Sequence, residues 1–362
     1  MKINSFIYNK KHWINTSQSN TDGLLYSKFC LARNLSSYDF PKKLSKHEKD
    51  EVANKILTTI LNINELGYKN IIYFNELNNT EKSILEERNI TFRDLHNWED
   101  LIVISNENES INLLINGFEH LTIFYQFSNN QIRENLNNFS ILKQILDNKL
   151  NFSQSPQFGF LTSDLKLVGS GFKLYSFLHM PAISMISRIE KQHKLTFNEN
   201  FKLERCKYSD IYQLLNSVTL GMSENEIIAK LKKNLKRIIK IEHNTRKDFI
   251  CNQKNYIEDR VYRSYGILKN CRMISFREAS FHLSILQLGI YLNMINDLPY
   301  DIIKKFLYIL QDYHIFALRN SAKDRSFFNK KKELNESDYI KNESYRANML
   351  RNYLKNGDLS NV

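Results

Sequence analysis

The sequence predicts an α+β fold, with strands and helices mixed up to about residue 250 and a wholly helical tail after it. Three observations lead there. Two short apolar runs, 101–105 and 110–116, flank Asn106-Glu-Asn-Glu109 as the arms of a β-hairpin would. The stretch from Gly159 to Pro181 reads as strand, glycine turn, strand. Beyond a boundary at 248–256 the apolar spacing is helical throughout.

Taken in order, residues 1–22 form a polar N-terminal segment. A helix is predicted over 45–65, where Ser45 is a cap with Glu48 three residues on, and Val52, Ile56, Ile60 and Leu61 recur at helical spacing. Residues 133–150 read as another helix. Gly159 to Ser163 looks like a strand end. The Gly169-Ser-Gly171 turn lets the backbone approach a neighbour closely, because glycine has no Cβ. Residues 172–180 run apolar apart from Lys173, as an interior strand would. Such a loop could cradle phosphate with its amides, although it matches neither the P-loop nor the dinucleotide fingerprint. A plain glycine turn between two buried strands is an equally good reading. A further strand pair falls in 195–215.

Ser223-Glu-Asn-Glu226 is a capping box opening a long helix. Ile227, Ile228, Leu231, Leu235, Ile238 and Ile239 form its buried stripe, and Lys230, Lys232, Lys233, Lys236, Arg237 and Lys240 face elsewhere. A solvated surface is the usual meaning of such a basic face. Ser275-Phe-Arg-Glu278 caps another helix, with Ala279, Leu283, Leu286 and Ile290 apolar. Residues 323–345 are charged and polar, and a final short helix carries Arg346 and Arg351.

A chain of 362 residues has room for two domains, and 42% hydrophobic with 25% charged residues is ordinary for a soluble globular protein. The net charge of +12 accompanies abundant lysine and asparagine, a bias that A+T-rich coding also produces. Without interleaved aromatic and basic residues, it does not point to nucleic acid. Cys30, Cys206, Cys251 and Cys271 have neither disulfide-framework nor zinc-ligand spacing. No secretory signal pattern and no apolar run of 18 residues is present, so a cytoplasmic protein with no membrane segment is expected.

The Gly159–Pro181 stretch, with Thr162-Ser163, Gly169, Gly171 and His179-x-Pro181 in place, resembles a signature segment of the ATP:guanido phosphotransferases. That superfamily holds the phosphagen kinases and the bacterial protein-arginine kinases. Tyr212-Gln-x-x-Asn-x-x-Thr-Leu-Gly-x-Ser-Glu224 is a second matching block. Residues Glu258 to Ser275, with Glu278-Ala-Ser and Leu288-Gly-Ile, are similar to the C-terminal domain of protein-arginine kinases, which phosphagen kinases lack. The resemblance runs from about Leu24 to Leu354. It implies a phosphagen-kinase-like antiparallel sheet flanked by helices over 23–250. An all-helical C-terminal domain of phosphoarginine-sensing type would then occupy 255–362.

Phosphoryl transfer to a guanidinium needs arginines to hold the triphosphate and carboxylates to orient the acceptor, helped in this family by a cysteine. The family's Ser-Ser-Arg-x-Arg-Leu-Ala-Arg-Asn is here Tyr26-Ser-Lys-Phe-Cys-Leu-Ala-Arg-Asn34. Ser27 is kept, Lys28 and Cys30 replace two phosphate-binding arginines, and Arg33 matches an arginine that looks structural. Asn-Glu-Glu-Asp-His-x-Arg is here Asn116-Gly-Phe-Glu-His-Leu-Thr122. Phe118 thus stands for the catalytic glutamate and Thr122 for another phosphate arginine, while Glu119 and His120 read as sheet-edge structure. Asp164 replaces the reactive cysteine, Leu165 a proline and Lys173 a nucleotide arginine. The stretch Asn198 to Cys206 keeps none of the family's loop glycines. Asn198 stands there for an arginine, and Glu204 is a candidate displaced carboxylate. Asn89 takes the place of an adenine- or ribose-side histidine. Asn342-Glu-Ser-Tyr-Arg-Ala347 aligns with a phosphoarginine-binding Arg-Asp-x-x-Arg-Ala motif, so Arg346 implies such a pocket. An exposed helix arginine without ligand is the plain alternative.

The changed positions are chemical and the kept ones are scaffold. Losing one transition-state charge donor costs on the order of 2.7–4 kcal/mol, and several such losses overlap. The resemblance therefore implies a degenerate protein-arginine kinase, a pseudokinase with weak or absent binding of ATP and Mg. It would act as a regulator or binding module for an active arginine kinase, its adaptor or a protease–chaperone component, as a homodimer or with an active relative. The alternative is a residual phosphotransferase, with Lys28 and Lys173 on phosphates and Asp164 or Glu204 on the guanidinium.

Overall fold

The structure, a computed structural model, describes residues 3–7, 9, 12, 23–63, 67–128, 132–190, 200–206, 210–300, 302–321 and 333–356. Its centre is one eight-stranded sheet, built from β1 (Leu24–Arg33), β2 (Tyr68–Tyr73), β3 (Ile102–Asn106), β4 (Ile111–Ile115), β5 (Leu121–Phe127), β8 (Phe172–His179), β9 (Phe201–Arg205) and β10 (Ile211–Asn216). The strand order is β2-β3-β4-β5-β1-β8-β10-β9, and every pairing is antiparallel. The expected hairpin is β3–β4, closed by a turn in which Glu109 has a φ of +59°. The strand pair expected within 195–215 is β9–β10. Gly159 to Ser163 contributes only the two-residue strand β7 (Gly159–Phe160), paired with β6 (Gln154–Ser155) in a small separate ribbon.

Strand alternation gives the sheet two different faces. Phe29, Leu31, Phe172 and Leu174 point to one, where α2 (Lys46–Leu61), α4 (Ile132–Lys149) and α6 (Glu224–Asn252) close the main core. Ser45 and Glu48 form the capping box of α2, and Ser223 and Glu226 that of α6. Cys30, Ile72, Val103 and Phe124 point to the other face. There they pack with residues of α1 (Asn4–Ile7), α3 (Asn79–Glu87) and α10 (Asp312–Ser321).

After α5 (Pro181–Glu190) and α6, the remaining elements are helical: α7 (Lys254–Asn270), α8 (Phe276–Tyr291), α9 (Ile302–Ile309), α10 and α11 (Glu336–Asn356). The turn between α6 and α7 falls at Gln253, inside the anticipated boundary. The last helix is 21 residues long rather than short. Its polar side chains mostly face solvent, while Asn342, Arg346, Leu350 and Tyr353 turn inward. Among the described residues, no helix is long and apolar enough to cross a membrane.

Polar links join the helical part to the sheet and α3. Glu87, at the end of α3, accepts the backbone N–H groups of Tyr313 and His314 in the first turn of α10, at 3.0 and 2.8 Å. Ser284 of α8 donates to Asp210 Oδ2 at 2.7 Å and lies 2.8 Å from His179 Nε2. All three of these last residues are buried.

Candidate functional site

The glycine loop is held by the protein itself. Gly169 has a φ of +117°, and a Cβ there would lie 2.8 Å from Leu220 Cα and Thr219 O. At Gly171, with a φ of +64°, a Cβ would meet Ala32 O at 2.7 Å and Arg33 Nη1 at 2.6 Å. The close approach that glycine permits is therefore to neighbouring backbone. Arg33 clamps the loop, donating through Nη1 to Ala32 O and Ser170 O, with its guanidinium 3.4 Å from the Phe160 ring centre. Glu119 accepts the N–H groups of Ser163 (2.9 Å) and Asp164 (3.3 Å) and the side-chain amide of Asn34. Burial takes the His120 pKa down to about 4, and its neutral Nδ1 accepts the Leu35 N–H at 3.0 Å. Loop amides that could have faced a phosphate are engaged by a carboxylate.

Beside this loop, the register places Lys28, Cys30, Thr122 and Lys173 on one face of β1, β5 and β8. Lys28 is only 5% exposed. Its Nζ donates to Asn89 O at 3.1 Å and sits 3.7 Å from the Phe124 ring centre and 5.3 Å from that of Phe92. Burial lowers its pKa from 10.5 to about 8. Cys30 is buried next to it, and burial pushes its thiol up to about 11. Thr122 and Lys173 are half-buried. The Lys173 Nζ lies 5.8 Å from the Tyr175 ring and has no ion pair among the described residues. Ser27 does not join this group. Alternation turns it to the helix-covered face, where its hydroxyl meets that of Ser176 at 2.9 Å.

Asn89 follows α3 with a φ of +56° and donates to the hydroxyls of Tyr308 (3.2 Å) and Tyr26 (3.4 Å). It lines a cavity of about 180 Å³ together with Tyr26, Phe177, Leu283 and Phe306. Among the described residues, no charged side chain lines that cavity. At the rim of the face, Phe118 is 40% exposed, with its ring edge-on to Trp98 at 5.1 Å. Asp164 is exposed and accepts the Lys166 N–H at 3.0 Å, capping the short turn Leu165–Leu167. Glu204 is exposed on edge strand β9, shares the face of Lys173 two strands away, and accepts from Gln213 Nε2 at 2.9 Å. Asn198 lies outside the described residues.

The fold and these positions can be set against known proteins. Residues 51–245, more than half of the chain, match the family model of the ATP:guanido phosphotransferase C-terminal catalytic domain. The chain belongs to the ATP:guanido phosphotransferase family. Residues 254–361 match the C-terminal domain of the protein-arginine kinase McsB. The protein-arginine kinase of Halothermothrix orenii is 29% identical over 317 residues, covering 86% of this chain and 90% of that one. That of Bacillus licheniformis is 28% identical over 338 residues, covering 90% and 93%. Among solved structures, the substrate-free duplicated taurocyamine kinase from Schistosoma mansoni superposes with a TM-score of 0.55 at 14% identity. The match covers 69% of this chain and 39% of that duplicated one. Lombricine kinase superposes at 0.53 and 15% identity, covering 62% and 68%. These superpositions establish the phosphagen kinase fold.

Within this member of the family, the helical domain holds Arg346 fully buried rather than exposed. Its Nε donates to Leu310 O at 2.7 Å, Nη1 to Ile274 O at 2.9 Å and Nη2 to Asp312 Oδ1 at 2.5 Å. The fork ties three chain segments together, and each of its nitrogens has a protein acceptor. The structure therefore gathers Lys28, Cys30, Thr122, Lys173 and Glu204 on one face with Phe118 and Asp164 at its rim, and separates Ser27 and Arg346 from them. Close to this face lies a buried pair that the sequence does not announce. Arg88, which directly precedes Asn89, donates twice to Glu109, at 2.6 and 2.7 Å. Nothing in their spacing signals it. Phe92 and Phe124, which cage Lys28, carry no sequence signal either.

Proposed function

We propose that this protein-arginine-kinase-like chain has lost ATP:guanidino phosphotransfer and works as a non-catalytic binding module. Its partner would be an active arginine kinase, that kinase's adaptor or a protease–chaperone component. The state of Lys28 carries the reading. At the position of a phosphate-binding arginine stands an ammonium that is buried, caged by two rings and bonded to a backbone carbonyl. A cation so placed adds no charge to the solvent side of the sheet.

The face as arranged does not fit a magnesium-bound triphosphate. Lys173 and the exposed Lys202 of β9 are the accessible cations of its strands, and neither strand arginine among the described residues, Arg33 or Arg205, shares that face. The cavity beside Asn89 is about 180 Å³, below the roughly 300 Å³ at which ligand pockets usually begin. Where a catalytic glutamate and a proline would stand, the surface is apolar. Phe118, Leu165 (84% exposed), Val218 and Leu220 (51%) are exposed, and the segments that carry them are tied by Glu119 to Ser163 and Asp164 and by Thr219, which donates to Val168 O at 2.7 Å. Such a surface suits docking better than phosphate. Incubation with radiolabelled Mg-ATP and arginine-containing protein is expected to leave protein arginine unlabelled. Labelling that disappears in Lys173→Ala would overturn the reading.

Residual phosphotransfer is the second reading, and one observation favours it. Lys173, Asp164 and Glu204 remain reachable on or beside the same face. It requires a thermal shift with millimolar Mg-ATP that Lys173→Ala removes.

A further inference from the structure

The strongest unassigned feature lies on the opposite side of the sheet. Residues 227–241 in α6 hold six lysines and arginines and no acid. Ile227, Ile228, Leu231, Leu235 and Ile238 are buried in the main core, which leaves the cations on the outer surface. Lys230, Lys233 and Arg237 fall at i, i+3 and i+7, a single stripe rising roughly 10 Å along the helix. This stripe faces Asn200 and Phe201 at the start of β9. Together with Asn234 they line a groove of about 420 Å³.

Cations at helical spacing usually have carboxylates one turn away. Here no carboxylate lines the groove among the described residues. The nearest acid on the helix, Glu226, lies one turn before Lys230 and feels its charge but is bonded to the Ser223 cap, and Lys233 and Arg237 have no carboxylate one turn away on the helix. Further cations close the flank. Burial, with the charges of Arg133 and Lys236, lowers the Lys232 pKa. The groove therefore offers one guanidinium fork, two ammonium groups and two side-chain amides, a set dominated by donors and positive charge. Repulsion among these cations is relieved by an anion. Its volume lies within the range of small-molecule sites, in contrast to the cavity beside Asn89.

We propose that this groove is a binding site for a small, multiply charged phosphate compound. The site is distinct from the family's nucleotide face, because α6 packs on the other surface of the sheet. This goes beyond the non-catalytic reading and stands whether or not phosphotransfer survives. The probe is sodium pyrophosphate, titrated calorimetrically into the full chain at low salt. One saturable site per chain is expected, weakening as salt rises. Affinity should fall at least tenfold in Lys233→Gln/Arg237→Gln and stay unchanged in Lys173→Ala. Lys233 and Arg237 are exposed and Lys173 is half-buried, and circular dichroism of the variants verifies folding. Absence of pyrophosphate binding overturns the proposal, as does binding indifferent to the double variant or lost in Lys173→Ala. Binding confined to a 20-nucleotide oligothymidylate also overturns it, since that marks a diffuse polyanion surface instead.

Discussion

The Gly159–Gly171 loop and the strand face beside it differ in what holds them. The loop holds the glycines and the Thr162-Ser163 pair on which the resemblance rests, though not the cysteine and proline expected at Asp164 and Leu165, and the residues that hold it serve the backbone. Gly169 and Gly171 admit neighbouring backbone, Arg33 clamps two carbonyls, and Glu119 collects two amides. The face carries Lys28, Cys30, Thr122 and Lys173 at the positions where the resemblance would put arginines. Cys30 now packs with Ile72 and Phe124. Fold and chemistry are thus separable even within one site. Backbone geometry ties the first to particular residues, whereas surface charge can go without harm to stability and sometimes with gain.

Five measurements test that contrast, beginning with the reaction itself. Transfer to protein arginine should be at least about 10²–10³-fold below that of an active relative, the cost of one absent charge donor, since further losses overlap with it. Arg346→Ala, which strands Asp312 and two carbonyls, should lower unfolding free energy by about 3–5 kcal/mol in denaturant titrations. Adding phosphoarginine should shift the melting temperature of neither protein. Lys28 should behave as a liability. Its folded pKa of about 8 lies below the 10.5 of the free side chain, so between those values the unfolded chain binds the extra proton and stability rises with pH. The rise amounts to about 3 kcal/mol. Lys28→Met should abolish that slope and be more stable than the parent at pH 7. A less stable Lys28→Met would break the contrast, making the ammonium a needed group. Gly171→Ala should cost about 2 kcal/mol through its positive φ and the Ala32 contact, read as a lowered denaturation midpoint.

Local signals were legible in the sequence. The capping boxes at Ser45 and Ser223, the β3–β4 hairpin and the loop glycines all rest on residues a few positions apart. Ser27, expected among the nucleotide positions, instead faces away from Lys28 and Cys30, as a period of two along β1 requires. The length of α11 was hidden by its charged first turns, which face solvent while Asn342 and Arg346 turn inward. Contacts between distant segments left no trace. Lys28 is caged by Phe92 and Phe124, and Arg346 bonds Leu310 and Ile274, with nothing in the chain order to bring them together.

The carboxylate of Glu87 supplies the cap for α10 from a helix more than two hundred residues earlier. A helix whose first amides depend on so distant a partner frays once that partner departs. In the same event Phe316 and Ala317 leave the cluster that covers Cys30 and Phe124. Cleavage at Gln253 should therefore not yield two durable halves. Heating should give a single cooperative transition, and a truncated sheet fragment should aggregate through its uncovered apolar side.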